Sequence, residues 1–206
     1  MNLCSSPIPP TNPRPSGPSC GRTPLKCIGL LLLLALSFVP RSHGQTGTQA
    51  EYEIKAALLY KLLSYVEWPS SPLAPADAPF TIGILGQDPS GKALMVLTAI
   101  LSDKVIKGRR IVVRLLTNPA EIDQCQLLFI SASEKARLAE ITESIKDRPV
   151  LTVGEIAGFA ERGGHVNLRT EGNIVNLEIN NDTASRSGLT ISSQLLKLKL
   201  VKVVKS

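Results

Sequence analysis

Acidic side chains are absent from the first fifty positions. The first is Glu51, although Arg14, Arg22, Lys26 and Arg41 precede it. Long apolar runs are scarce as well. The one that stands out is Cys27–Val39, whose 13 residues fall short of the roughly 20 that span a bilayer as a helix. Basic residues before such a run, and small residues at Ser42 and Gly44 after it, are the parts of a Sec-type secretory signal. The pattern predicts a signal peptide over 1–44 with cleavage near Gly44, a single domain over 45–206, and export from the cytoplasm.

Cleavage there changes what the composition excludes. The whole chain carries 23 basic and 17 acidic residues, net +6; losing four basic residues leaves 19 against 17, net +2. Nucleic-acid binding calls for a concentrated basic face, which this balance gives no reason to expect. Of the four cysteines, Cys4, Cys20 and Cys27 belong to the leader, so Cys125 has no partner for an intrachain disulfide. Lying before the apolar run Gln126–Ile130, it is expected to be buried and inert. With Cys125 and His165 the only such residues left, a transition-metal cluster is not expected, nor is any cofactor. Serine hydrolase chemistry would need a Gly-x-Ser-x-Gly elbow, which is missing, or a set built on His165. No catalytic residue is singled out, and the chain reads as non-enzymatic.

Residues 45–50 are small and polar and read as loose. Tyr52–Val66 then has helical spacing, with Ile54, Leu58, Leu62 and Tyr65/Val66 on one stripe and Glu51/Lys55 as an i,i+4 pair. Pro69 ends it. Phe80–Leu85, Arg110–Leu116, Gln126–Ile130 and Val150–Val153 read as strands. Helices are expected over Pro89–Leu101 and after Ser131, where Ser131 and Glu134 fit a capping box and Leu138, Ile141 and Ile145 form the buried stripe. Val166–Ile179 alternates about Glu171-Gly172-Asn173 as a hairpin. A final helix is expected from Ser192 into the lysine-rich tail, with a strand over Leu196–Leu200 as the alternative. The predicted class is α/β: three layers, a mostly parallel sheet flanked by helices, then an antiparallel hairpin and a last helix.

Gly86-Gln87-Asp88-Pro89-Ser90-Gly91-Lys92-Ala93 has the spacing of a nucleotide P-loop. Ala93, however, stands where a magnesium-binding hydroxyl is needed. A turn at Gly86 with Asp88 capping a helix that starts at Pro89 explains the same residues. Two other segments are not obviously explained by packing. Tyr65-Val66-Glu67-Trp68-Pro69 holds the single tryptophan, and Gly158-Phe159-Ala160-Glu161-Arg162-Gly163-Gly164 is a glycine-rich loop around an aromatic. Aromatic and arginine side chains anchor protein interfaces. Tyr65, Trp68, Phe159, Glu161 and Arg162 are therefore the candidate partner-binding residues, with Trp68 as a plug at the core edge the competing reading. On the first reading, alanine at Trp68 or Phe159 weakens partner binding and leaves the fold intact.

These segments occur in order with Leu127-Leu128-Phe129-Ile130-Ser131, Leu177-Glu178-Ile179-Asn180 and Gly188-Leu189-Thr190-Ile191-Ser192-Ser193-Gln194-Leu195-Leu196. In that order and spacing the chain resembles the YfiR family of bacterial periplasmic proteins over nearly all of 50–204. The resemblance implies a negative regulator that binds the periplasmic sensor domain of an inner-membrane signalling protein, a diguanylate cyclase or a kinase. In the cyclase branch it implies repression of cyclic-di-GMP synthesis. It also implies an outer-membrane lipoprotein as a second partner, and a homodimer. Disulfide-based redox sensing, known in that family, is not expected here because Cys125 stands alone. The alternative function is a small-molecule-binding co-sensor with its ligand at the carboxyl ends of the strands, near Gly86 and Ser131.

Overall fold

The computed structural model describes residues 49–69, 78–86, 91–117, 121–122, 125–172 and 174–206. In chain order the elements are α1 (Gln49–Tyr65), β1 (Val66–Glu67), β2 (Phe80–Leu85), α2 (Lys92–Leu101), β3 (Val105–Ile106) and β4 (Arg109–Leu116). Then come β5 (Leu127–Ile130), a 3-10 turn at Ala132–Arg137, α3 (Leu138–Ser144), β6 (Leu151–Gly154) and a second 3-10 turn at Ala160–Arg162. The last are β7 (Val166–Glu171), β8 (Ile174–Ile179), α4 (Asn181–Arg186), β9 (Thr190–Ile191), α5 (Ser193–Leu196) and β10 (Val201–Val203).

Eight strands form one mixed sheet in the order β10-β8-β7-β6-β5-β2-β4-β3. Pairing is parallel from β7 through β6, β5 and β2 to β4, and again between β10 and β8. It is antiparallel in the β7–β8 hairpin and at β3–β4. β2, β5 and β6 are buried at every position, which is why their sequences lack alternation. One face carries Phe80, Ile82, Leu127, Phe129, Leu151 and Val153 against the buried stripes of α1 and α2. The other carries Leu85, Leu128 and Ile130 against Leu138, Ile141 and Ile145, with Phe159 among them. The predicted three-layer α/β arrangement is thus present. A separate two-stranded sheet, β1 with β9, ties the end of α1 to the C-terminal segment.

Four local expectations change. First, α1 begins at Gln49 and buries Tyr52, Lys55, Ala56, Leu59, Leu62 and Leu63, while Ile54 is 41% exposed. The helix is turned by about one residue from its predicted stripe because Lys55 reaches inward to Glu155, Nζ to Oε2 2.6 Å. Second, the Ser131 side chain does not cap the following turn. The first free amide, Ala132 N–H, donates instead to Glu155 Oε1 at 3.2 Å. The α-helix proper then starts only at Leu138.

Third, the last helix is four residues long, capped by Ser192, and the tail returns as β10 beside β8. Leu198 and Leu200 pack toward the core while Lys197, Lys199, Lys202 and Lys205 are exposed. Residues 197–200 are turns, so the alternative strand over Leu196–Leu200 does not form; the strand is Val201–Val203, where Lys202 suits an unpaired edge. Fourth, α2 is described from Lys92, after Gly91 at φ 64°. The proposed capping by Asp88 and Pro89 lies outside the described residues.

Candidate functional site

The strand order reverses between β2 and β5, since α2 leads from β2 to β4 on one side and the chain then crosses back to β5. A crevice at the carboxyl ends of those two strands is where open α/β sheets take ligands. Here the chain fills it. Gly86 has φ 102°, and a Cβ built on it would lie 2.6 Å from Ser133 Oγ and 3.0 Å from Ser131 Cβ. Only glycine fits, because the turn after β5 is folded down onto it. The same end is tied by Glu155, which accepts from Ala132 N–H and pairs with Lys55. Lys55 also meets Glu51 at 2.7 Å, and Thr170 Oγ1 donates to Glu51 at 2.8 Å. Among the described residues the switch point is therefore closed by an ion-paired cluster.

The five candidate partner-binding residues do not form one patch. Trp68 and Tyr65 lie at the other end of the sheet, both half-buried against the α1–α2 face. Trp68 is occupied by the fold. Its Nε1–H donates to Gln126 O at 3.2 Å, and its ring meets Phe80 edge-on at 5.0 Å between centroids. Lys107 Nζ sits 5.6 Å over the indole and donates to Val66 O at 3.0 Å.

Phe159, in contrast, lies in the core on the opposite face and is 0% exposed. A Cβ on Gly154 would stand 2.7 Å from its ring, and one on Gly164 only 2.2 Å from it. The loop glycines thus admit an aromatic from below rather than a partner from outside. Phe159 cannot touch a partner in this fold, and its alanine variant becomes a test of stability. Glu161 and Arg162 are exposed above it. Arg162 bends back to its own loop, donating to Gly158 O at 3.1 Å and to Ala157 O.

Cys125 is buried, as expected, under Gly83. Burial, with the Glu121 carboxylate adding to it and Arg114 opposing, pushes its thiol up to about 11, so it is protonated and unreactive at neutral pH.

Sequence reasoning missed the pairing of His165 with Ser187. His165, just before β7, is 2% exposed. Its Nδ1 accepts Thr152 N–H at 3.1 Å, and its Nε2 is 3.1 Å from Ser187 Oγ. An Nδ1 that accepts a backbone N–H leaves the proton of the neutral ring on Nε2. Nε2–H therefore donates to Ser187 and cannot take the serine's proton, the reverse of a hydrolytic dyad. Burial first, and Arg186 second, hold the imidazole down to about 4, against a smaller opposing contribution from the Val150 carbonyl.

This has a stability consequence. Between 6.5 and about 4 the unfolded chain takes the proton and the folded chain refuses it. The contribution is complete above 6.5 and is lost as pH falls through the folded value, about 3 kcal/mol in all. Denaturant midpoints measured from pH 7 to 4 should fall more steeply for the parent chain than for His165→Gln; equal slopes would refute this assignment.

Among the described residues no group of three or more His, Cys, Asp or Glu is placed to hold a metal ion. Nor is any helix there long and apolar enough to cross a membrane.

Comparison with known proteins adds two findings. The solved structure of a conserved domain protein from Vibrio cholerae is similar with a TM-score of 0.50 at 13% identity. The match covers 75% of this chain and 60% of that one, so this chain spans about three-fifths of its length; at that identity the likeness is one of fold. The model of the YfiR/HmsC-like family matches residues 52–199, from the inward face of α1 to the turn before β10. With the match running through every layer of the sheet, this chain belongs to the YfiR/HmsC-like family.

Proposed function

We propose that the protein is a periplasmic, non-enzymatic regulator of a membrane diguanylate cyclase system. In this reading it binds the periplasmic sensor domain of the inner-membrane cyclase and represses cyclic-di-GMP synthesis. The observation that carries the reading is the family match over 52–199. Two features of the site agree with it. The His165–Ser187 pair is oriented against proton abstraction, and among the described residues the end of β2 is packed under the turn after β5. The secretory signal over 1–44 supplies the compartment.

For the docking surface, burial favours two separate exposed places over one. Glu161 and Arg162 crown the loop held up by Phe159, and Tyr65-Val66-Glu67-Trp68 forms a rim at the far end, where Glu67 is exposed. The test is recovery of membrane proteins on the purified protein. An inner-membrane sensor with a cyclase or kinase output is expected. Glu161→Lys should cut that recovery about tenfold, as charge reversal at a docking surface does, without changing thermal stability. If Glu67→Lys alone has the effect, the α1 rim is the surface. If no sensor is recovered by the folded protein, the regulator reading fails.

A further inference from the structure

We infer that the cleft between α3, the 155–165 loop and the end of α4 is a binding site for a small oxyanion, a carboxylate or a phosphate, received by the Ser187 hydroxyl and the guanidinium groups of Arg186 and Arg162. The cleft has a volume of about 160 Å³, below the usual range for drug-sized ligands and suited to a small ion.

Its floor is polar and built. Ser187 is 6% exposed and His165 2%, and both line the cleft. Thr152 N–H fills Nδ1, so the imidazole gives its one proton to Ser187 Oγ. The serine's own hydrogen is then left to donate, and among the described residues its hydroxyl has no second partner. A group held this way asks for an acceptor from the cleft side.

The walls supply charge of matching sign. Glu143 is 3.5 Å from Lys146, so those two offset each other. Asp147 is the remaining carboxylate of the lining. Against it stand Arg162 and Arg186, neither paired with a carboxylate among the described residues. Arg162 is fixed by the carbonyls of Ala157 and Gly158, and Arg186 by Thr183 Oγ1 at 3.0 Å. Each keeps N–H donors to spare, because a guanidinium carries five. Two held guanidiniums and a hydroxyl donor around one small cleft are the chemistry that binds oxyanions. The inference does not depend on which membrane protein the chain regulates.

The experiment is a titration of the full chain with inorganic phosphate, and separately with succinate, followed by calorimetry or by amide NMR shifts at constant ionic strength. Sodium chloride is the control. Saturable binding of one equivalent, with shifts centred on Ser187 and Thr152, is expected for one of the two anions. Which anion saturates names the ligand class. Arg186→Gln should weaken it about tenfold, the usual loss for a charge-assisted hydrogen bond, and should fold normally because Arg186 is exposed. Lys202→Gln, on a distant edge strand, should leave binding unchanged. Phosphate and succinate acting no differently from chloride would overturn the inference, as would Arg186→Gln binding like the parent.

Discussion

Replacing Phe159 with alanine is expected to destabilise the protein by about 3–5 kcal/mol, the range for truncating a buried aromatic. The ring is fully enclosed among Leu138, Ile141 and Ile156, and is clasped by the backbones at Gly154 and Gly164. Those two positions lack side chains because the ring lies against them, so the space left by alanine cannot be refilled from either side. Urea unfolding should show a lower midpoint with little change in slope. Glu161→Ala, two residues away but exposed, should stay within about 0.5 kcal/mol of the parent. Gly164→Ala supplies the opposite perturbation, overpacking the same contact at about 1–3 kcal/mol. A Phe159→Ala protein as stable as the parent would mean that the ring is not enclosed in solution.

Lys55→Met is expected to cost a similar amount, about 3–5 kcal/mol, for a different reason. Lys55 is 3% exposed, its ammonium lies 2.6 Å from Glu155 and 2.7 Å from Glu51, and the Tyr52 ring lies 4.9 Å beneath it. The Glu155 side chain is 11% exposed, so removing the cation leaves a carboxylate with little water to replace it. The double variant Lys55→Met, Glu155→Gln removes the more buried carboxylate with the cation and leaves Glu51 its hydrogen bond from Thr170; it should recover more than half of the loss, because the cost comes from the charge left behind rather than from the pair itself. Unfolding free energies of the four proteins in the cycle decide this. A double variant as unstable as the sum of the two singles would show that the residues act independently.

These two sites also mark where sequence reading succeeds and where it stops. β2, β5 and β6 were legible because strands covered on both faces need unbroken apolar runs, and the hairpin because its turn signal sits between alternating segments. The face of α1 was misassigned because periodicity cannot see Glu155, a hundred residues away. β1 and β9 are two residues each and exist only as partners of one another, so neither has a local signature. α4 did carry one, since Asn180 caps it by accepting Thr183 N–H at 2.9 Å. Phe159 looked like a surface anchor because glycines beside an aromatic suggest accessibility. Gly154, at the end of an otherwise bulky strand, was the sign that something large is seated there. The Ser187 partnership had no sequence mark except the oddity of a histidine opening an apolar strand.

The tie between Lys55 and Glu155 reaches beyond stability. β2 acquires its neighbour β5 only after the whole of β4 has been made, with Ile82 set against Leu127. The Lys55 tie of α1 forms only once β6 is in place. Pairings at such separation make folding slow, since chain closure comes before the contacts that reward it. α1 packs on α2 and β2 pairs with β4 early, but β2 lacks its second neighbour, and Lys55 its buried partner, until β5 and Glu155 have been made.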